Sequence, residues 1–84
     1  MITVRYFASI REKLGCADET LELPCGVDSV QDLLEYLKQQ HGQLWEEGLK
    51  NSAVLVAVNQ AVAKRSAAIK DGDEIAFFPP VTGG

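Results

Sequence analysis

Eighty-four residues, 46% of them hydrophobic and 24% charged, describe one small globular domain and exclude a two-domain enzyme. A chain this short buries only about 60% of the surface its unfolded form exposes, so the core is thin and function is expected on the surface or at an end. Eight Lys and Arg against twelve Asp and Glu give a net charge of -4, which argues against nucleic-acid or anionic-membrane binding and points to a basic partner.

No apolar run approaches the roughly 18 residues of a membrane span, and Met1-Ile-Thr-Val lacks the basic start and apolar block of a secretory signal, so a cytoplasmic protein is expected. Cys16 and Cys25 do not have the spacing of a redox or zinc-binding Cys-x-x-Cys pair, and are expected to be unpaired structural thiols. The single histidine, His41, has no partner at ligand spacing, so no metal site is expected.

Residues 2 to 7 alternate with period two: Ile2, Val4 and Tyr6 face one way and Thr3, Arg5 and Phe7 the other, as in a strand with one wet face. Ile10 and Leu14, four apart and followed by Gly15, predict a helix of about two turns over 8–14 that stops in a left-handed cap. A second strand is expected over 19–23, with Leu21 and Leu23 inward and Pro24-Cys25-Gly26 as its end. The clearest helix follows. Ser29 with Asp32 resembles a capping box, Val30, Leu33, Leu34 and Leu37 form one stripe, and Gly42 is the stop. Asp32, Glu35, Lys38 and Gln39 belong to its polar face, and His41 suits the negative end of the helix dipole.

Residues 43–52, with Leu44, Trp45 and Leu49 at helical spacing, read as a connecting segment with room for one more turn, with Trp45 as a lid on the core. Val54-Leu55-Val56-Ala57-Val58 is apolar on both faces, as in a mid-sheet strand, and Asn59-Gln60 is a tight turn into Ala61-Val62-Ala63. Asp71-Gly72 turns the chain into a last strand over 73–78, and Pro79-Pro80 stops ladder pairing there. Lys64, Arg65 and Lys70 read as a solvated edge. The order predicts an α+β roll, a mixed sheet covered by one main helix, over residues 1–78, with 79–84 as an extended tail.

That tail, Pro79-Pro80-Val81-Thr82-Gly83-Gly84, carries no charged side chain. Six extended residues reach about 20 Å, and paired prolines stiffen the root, so the segment is expected to project. Gly83 and Gly84 lack Cβ atoms and can enter a channel too narrow for any other residue. A Gly-Gly end alone is equally compatible with a frayed terminus. The charge-free tail, its proline root and the Phe77-Phe78 strand before it favour an arm built to insert. Strand parity adds outward-facing aromatics: if Thr3 and Arg5 face water, Phe7 shares their face, and if Ile75 and Phe77 face the core, Phe78 points outward. The alternative assigns these phenylalanines to a second small core beneath residues 43–52.

From Val4-Arg5-Tyr6-Phe7-Ala8 through Ala57-Val58-Asn59-Gln60 to Phe77-Phe78-Pro79-Pro80-Val81-Thr82-Gly83-Gly84, the chain resembles the small, sulfur-carrying subunits of molybdopterin synthases. The resemblance implies a ubiquitin-like β-grasp fold. It also implies that Gly84 is adenylated by an E1-like activating enzyme using ATP, converted to a thiocarboxylate, and used to deliver sulfur to cyclic pyranopterin monophosphate for the dithiolene of molybdopterin. The implied tail-insertion residues are Pro80, Val81, Thr82 and Gly83, the implied partner interface is Phe7, Val62 and Phe78, and the implied synthase holds two small and two large subunits. The chain itself would bind no cofactor and would not be an enzyme alone, because it offers no phosphate-cradling Gly-rich loop and no paired acid and base. A sulfur carrier for the thiamine thiazole or another thiolated product, or a ubiquitin-like modifier ending in an isopeptide bond, are the alternative functions.

Overall fold

In the computed structural model, which describes residues 1–49 and 54–80, the N-terminal alternation forms β1 (Ile2–Tyr6), with Ile2, Val4 and Tyr6 buried. It ends one residue earlier than the pattern predicts, because Phe7 becomes the N-cap of α1 (Ala8–Leu14). Gly15 closes that helix in the left-handed region at φ 67°, where its N–H donates to the Arg11 carbonyl. The second strand, β2 (Asp18–Leu21), stops before Leu23 because its ladder ends where β1 does, with Ile2 opposite Leu21. Leu23 leaves the ladder but still packs on the core.

Helix α2 (Val30–His41) forms as its stripe requires, burying Val30, Leu33, Leu34 and Leu37. The Ser29 hydroxyl accepts from the Asp32 N–H at 3.2 Å, while the Asp32 carboxylate reaches back to the N–H of Asp28, not Ser29, so the capping box is shifted by one residue. Where only a connection with a single turn was expected, the chain forms α3 (Gln43–Leu49), seven residues that bury Trp45, Gly48 and Leu49. A Cβ on Gly48 would stand 2.6 Å from Leu14 Cδ2, so the missing side chain lets α3 approach α1.

Three strands follow: β3 (Leu55–Val58), β4 (Ala61–Ala63) and β5 (Glu74–Phe78). Asn59 and Gln60 both take positive φ, 52° and 71°, the handedness that a two-residue hairpin between twisted strands needs. The sheet order is β2-β1-β5-β3-β4, with β1 and β5 parallel and the other pairings antiparallel. One core joins Val4, Tyr6, Val56, Ile75 and Phe77 of the sheet to the buried faces of all three helices. Fully burying each such side chain contributes on the order of 1.5–3 kcal/mol, against the conformational entropy of ordering the chain.

The expectation that 54–58 is buried on both faces is corrected at Leu55. The strand does lie inside the sheet, between β5 and β4, but Leu55 is 37% exposed. With the helices gathered on one face, the other face of the sheet stays open.

Candidate functional site

Register assigns the residues of that open face. Arg5, Ala76, Ala57 and Val62 stand side by side across β1, β5, β3 and β4, and Leu55 stands opposite Phe78 in the next row. Phe7 extends the β1 line by one residue, its N–H donating to the Phe77 carbonyl at 3.1 Å. Phe7 is 40% exposed and Val62 74% exposed, and Phe78 is half-buried. All three predicted patch residues therefore lie on one face, joined by Leu55, which sequence reasoning placed inside. Its signal was parity with Phe78, masked because every residue of the strand is apolar.

The alternative placement beneath residues 43–52 is not what forms among the described residues. Helix α3 sends Trp45 and Leu49 into the main core, and neither Phe7 nor Phe78 belongs to that core. The strip runs along β5 toward Pro79, half-buried, and Pro80, exposed. Val81, Thr82, Gly83 and Gly84 lie outside the described residues.

At the edge of the strip, Arg5 Nη1 is 3.7 Å from Glu74 Oε2, and the Arg5 guanidinium lies over the Phe7 ring, 5.5 Å from its centroid. On the opposite, buried face a polar chain crosses four elements. Trp45 Nε1 donates to the Tyr6 hydroxyl at 3.0 Å, and that hydroxyl donates to Glu19 Oε2 at 2.8 Å. Glu19 Oε1 is 3.0 Å from His41 Nε2, and the His41 ring stacks on Trp45 with centroids 4.1 Å apart. Burial is the main reason the Tyr6 phenol is pushed far above its ordinary range, with the Glu19 carboxylate adding to it. Trp45 is thus the lid expected of it. His41 lies in the last turn of α2, as the dipole reading has it, and also ties that end of the helix to β2.

Cys16 and Cys25 are unpaired. Burial, then the neighbouring Glu19, push the Cys16 thiol up, and its Sγ donates to the Asp18 carbonyl at 3.3 Å, so it is held in the less nucleophilic form. Lys64 and Lys70 are exposed as expected, but Arg65 is half-buried and donates to the Val54 carbonyl at 3.4 Å, which corrects its reading as solvated edge. No cluster of three or more His, Cys, Asp or Glu residues is arranged to hold a metal among the described residues, and none of their helices is long and apolar enough to cross a membrane.

A five-stranded mixed sheet, a principal helix across one face and an apolar strip on the other define a ubiquitin-like β-grasp domain. The chain belongs to the ThiS family, which matches residues 4–84. It is 40% identical to the molybdopterin synthase sulfur carrier subunit of Haemophilus influenzae, over 84 residues that cover all of both chains. Among solved structures it is similar to the small archaeal modifier protein 1 of Haloferax volcanii, with TM-score 0.75 and 28% identity, covering 95% of this chain and 97% of that one. It is also similar to a chain in the complex of subunits 1 and 2 of the molybdopterin-converting factor from Helicobacter pylori, with TM-score 0.66 and 26% identity, covering 99% of this chain and 97% of that one.

Proposed function

We propose that the chain is the sulfur-carrier subunit of a molybdopterin synthase, acting in the cytoplasm through the carboxylate of Gly84. The observation that supports this most is a likeness of 40% identity to a named sulfur carrier subunit that runs the full length of both chains. A terminal carboxylate, with an ordinary pKa of about 3.3 to 3.7, is ionised at neutral pH and is a poor electrophile. Its oxygen must first attack the α-phosphorus of ATP, expelling pyrophosphate. Sulfide from a donor then adds to the acyl carbon and AMP leaves, giving the thiocarboxylate. That sulfur displaces an oxygen substituent from a side-chain carbon of the pyranopterin, forming a C–S bond as a C–O bond breaks, and water then cleaves the resulting thioester, leaving the sulfur on the pterin and returning Gly84 as a carboxylate.

The chain supplies the carried atom and the handle, and its partners supply the catalysis. An E1-like enzyme performs the first two steps and the large subunit the third. Phe7, Leu55, Val62 and Phe78 form the docking face for both, Pro79 and Pro80 set the direction of the tail, and Val81 to Gly84 enter the partner. The net charge of -4 suits a partner whose pocket is basic enough to hold a phosphorylated pterin.

Incubation with the activating enzyme, ATP and a sulfur donor is expected to raise the intact mass by the difference between sulfur and oxygen. An unchanged mass under conditions that thiolate a control carrier would overturn the reading. The likeness to an archaeal modifier protein favours one second reading, transfer of Gly84 to a lysine. Peptide mapping that finds Gly84 in an isopeptide bond, with no thiocarboxylate formed, would select it.

A further inference from the structure

We infer that Arg5 is a positioning residue of the docking face: it fixes the Phe7 ring in place before a partner arrives. The inference rests on the reading of that face as the partner site. Arg5 stands on the open face of β1, in register with Asp18 on β2 and Ala76 on β5. Its guanidinium is placed from two sides. Glu74 Oε2 lies 3.7 Å from Nη1, and the Phe7 ring lies beneath the guanidinium carbon at 5.5 Å. The cation is drawn to the negative face of the ring, and the planar group covers that face as a round ammonium does not. Because Glu74 already balances the charge, Arg5 acts here as a plate against the ring more than as a free cation available to an incoming partner.

Phe7 needs such a plate. It is the N-cap of α1 with no side-chain capping bond, it stands outside the core, and it is 40% exposed. The next residue, Ala8, takes φ 53°, so the backbone departs from the strand direction immediately after it. Ala76, beside Arg5 in the same row, is too short to support the ring. An exposed aromatic with no support samples several rotamers, and choosing one of them on binding reduces affinity.

Two measurements test this. In the free chain, side-chain couplings are expected to report one Phe7 χ1 rotamer in the wild type and an average of rotamers in Arg5→Met. An unchanged rotamer population in Arg5→Met would overturn the inference. In binding to the synthase large subunit, Arg5→Met is expected to weaken affinity about threefold, the scale of one exposed cation–π contact. In a Phe7→Ala background the same substitution is expected to have no effect. An equal loss in both backgrounds would mean that Arg5 touches the partner directly, and would overturn the positioning role. If the wild-type chain does not bind the large subunit at all, the docking reading falls, and the couplings still decide separately whether Arg5 holds Phe7.

Discussion

Leu55 faces Phe78 across the β3–β5 ladder, and both side chains lie on the side of the sheet away from the core that the described helices cover. The pair links the exposed strip to the last residue of β5, directly before the two prolines. Its neighbour Phe77 points the other way and is 1% exposed. Truncation should therefore separate docking from folding. Leu55→Ala and Phe78→Ala are expected to weaken binding to the large subunit while changing stability little. Phe77→Ala should cost about 3–5 kcal/mol by emptying part of the core. Urea unfolding and titration calorimetry on the three variants check this, and a Leu55→Ala variant that unfolds as readily as Phe77→Ala would contradict it.

The Tyr6 hydroxyl predicts a second separation, between apolar burial and hydrogen bonding. Tyr6→Phe keeps the ring and removes the oxygen, leaving Trp45 Nε1 without its acceptor and Glu19 Oε2 without the Tyr6 donor. A loss of about 1–3 kcal/mol is expected, because buried polar groups left unpaired cost their desolvation. The chain has one tryptophan, so its fluorescence reports on the site itself. The pH dependence has a definite sign. Burial raises the folded phenol's pKa above the unfolded value of about 10, so the unfolded chain releases this proton first. Stability from Tyr6 is complete below pH of about 10 and is lost as pH rises further. Alkaline melts of Tyr6→Phe should therefore fall less steeply than those of the wild type.

These two sites also mark how far local sequence patterns reach. Helix α2 was legible because Val30, Leu33, Leu34 and Leu37 repeat at helical spacing behind a Ser29 cap, and the cap bond forms. Parity turned Phe7 and Phe78 outward, and the strand order implied by the family resemblance, not any local pattern, set them beside each other and Val62. Leu55 was not legible, since an all-apolar run carries no alternation to read. Nor was α3, whose seven residues are too few for a strong periodic signal and depend on packing of Gly48 against Leu14. The Trp45–Tyr6 bond joins residues 39 positions apart, and His41 meets Glu19 across 22, so no local pattern announces either contact. Gly83 and Gly84 lie outside the described residues, so their role rests on the sequence and on the family likeness.

Ala8 occupies φ 53°, a region that costs an L-residue with a Cβ about 1–2 kcal/mol. Replacing alanine by glycine within a helix usually destabilises it, but here the sign should change. Ala8→Gly is expected to leave stability unchanged or raise it by up to about 1 kcal/mol, as relief of strain offsets the added freedom of the unfolded chain. A β-branched residue should have the opposite effect, so Ala8→Val is expected to be clearly destabilising. Urea midpoints compared at constant m value provide the check, and a marked loss of stability in Ala8→Gly would show that the left-handed turn is not strained.

Asp73 is 6% exposed and joins two turns. Its carboxylate accepts from Asn59 Nδ2 at 3.0 Å and from the Lys70 N–H at 2.9 Å, while Asn59 Oδ1 accepts from the Glu74 N–H. The Asn59 hydrogen bond, followed by that of the Lys70 backbone, holds the Asp73 carboxyl below its usual range. A carboxylate with a depressed folded pKa stabilises above its unfolded value of about 3.9, and that contribution is lost as pH falls through the folded pKa. Asp73→Asn is therefore expected to be less stable than the wild type at pH 7, by about 1–3 kcal/mol, with the gap closing as the solution is acidified. Asn59→Ala should lose stability at neutral pH for a related reason, since it removes the donor to Asp73 and the acceptor for Glu74 together. Thermal melts from pH 7 to pH of about 2 on all three chains decide the matter: a gap between wild type and Asp73→Asn that stays constant across that range would mean the carboxylate's charge contributes nothing.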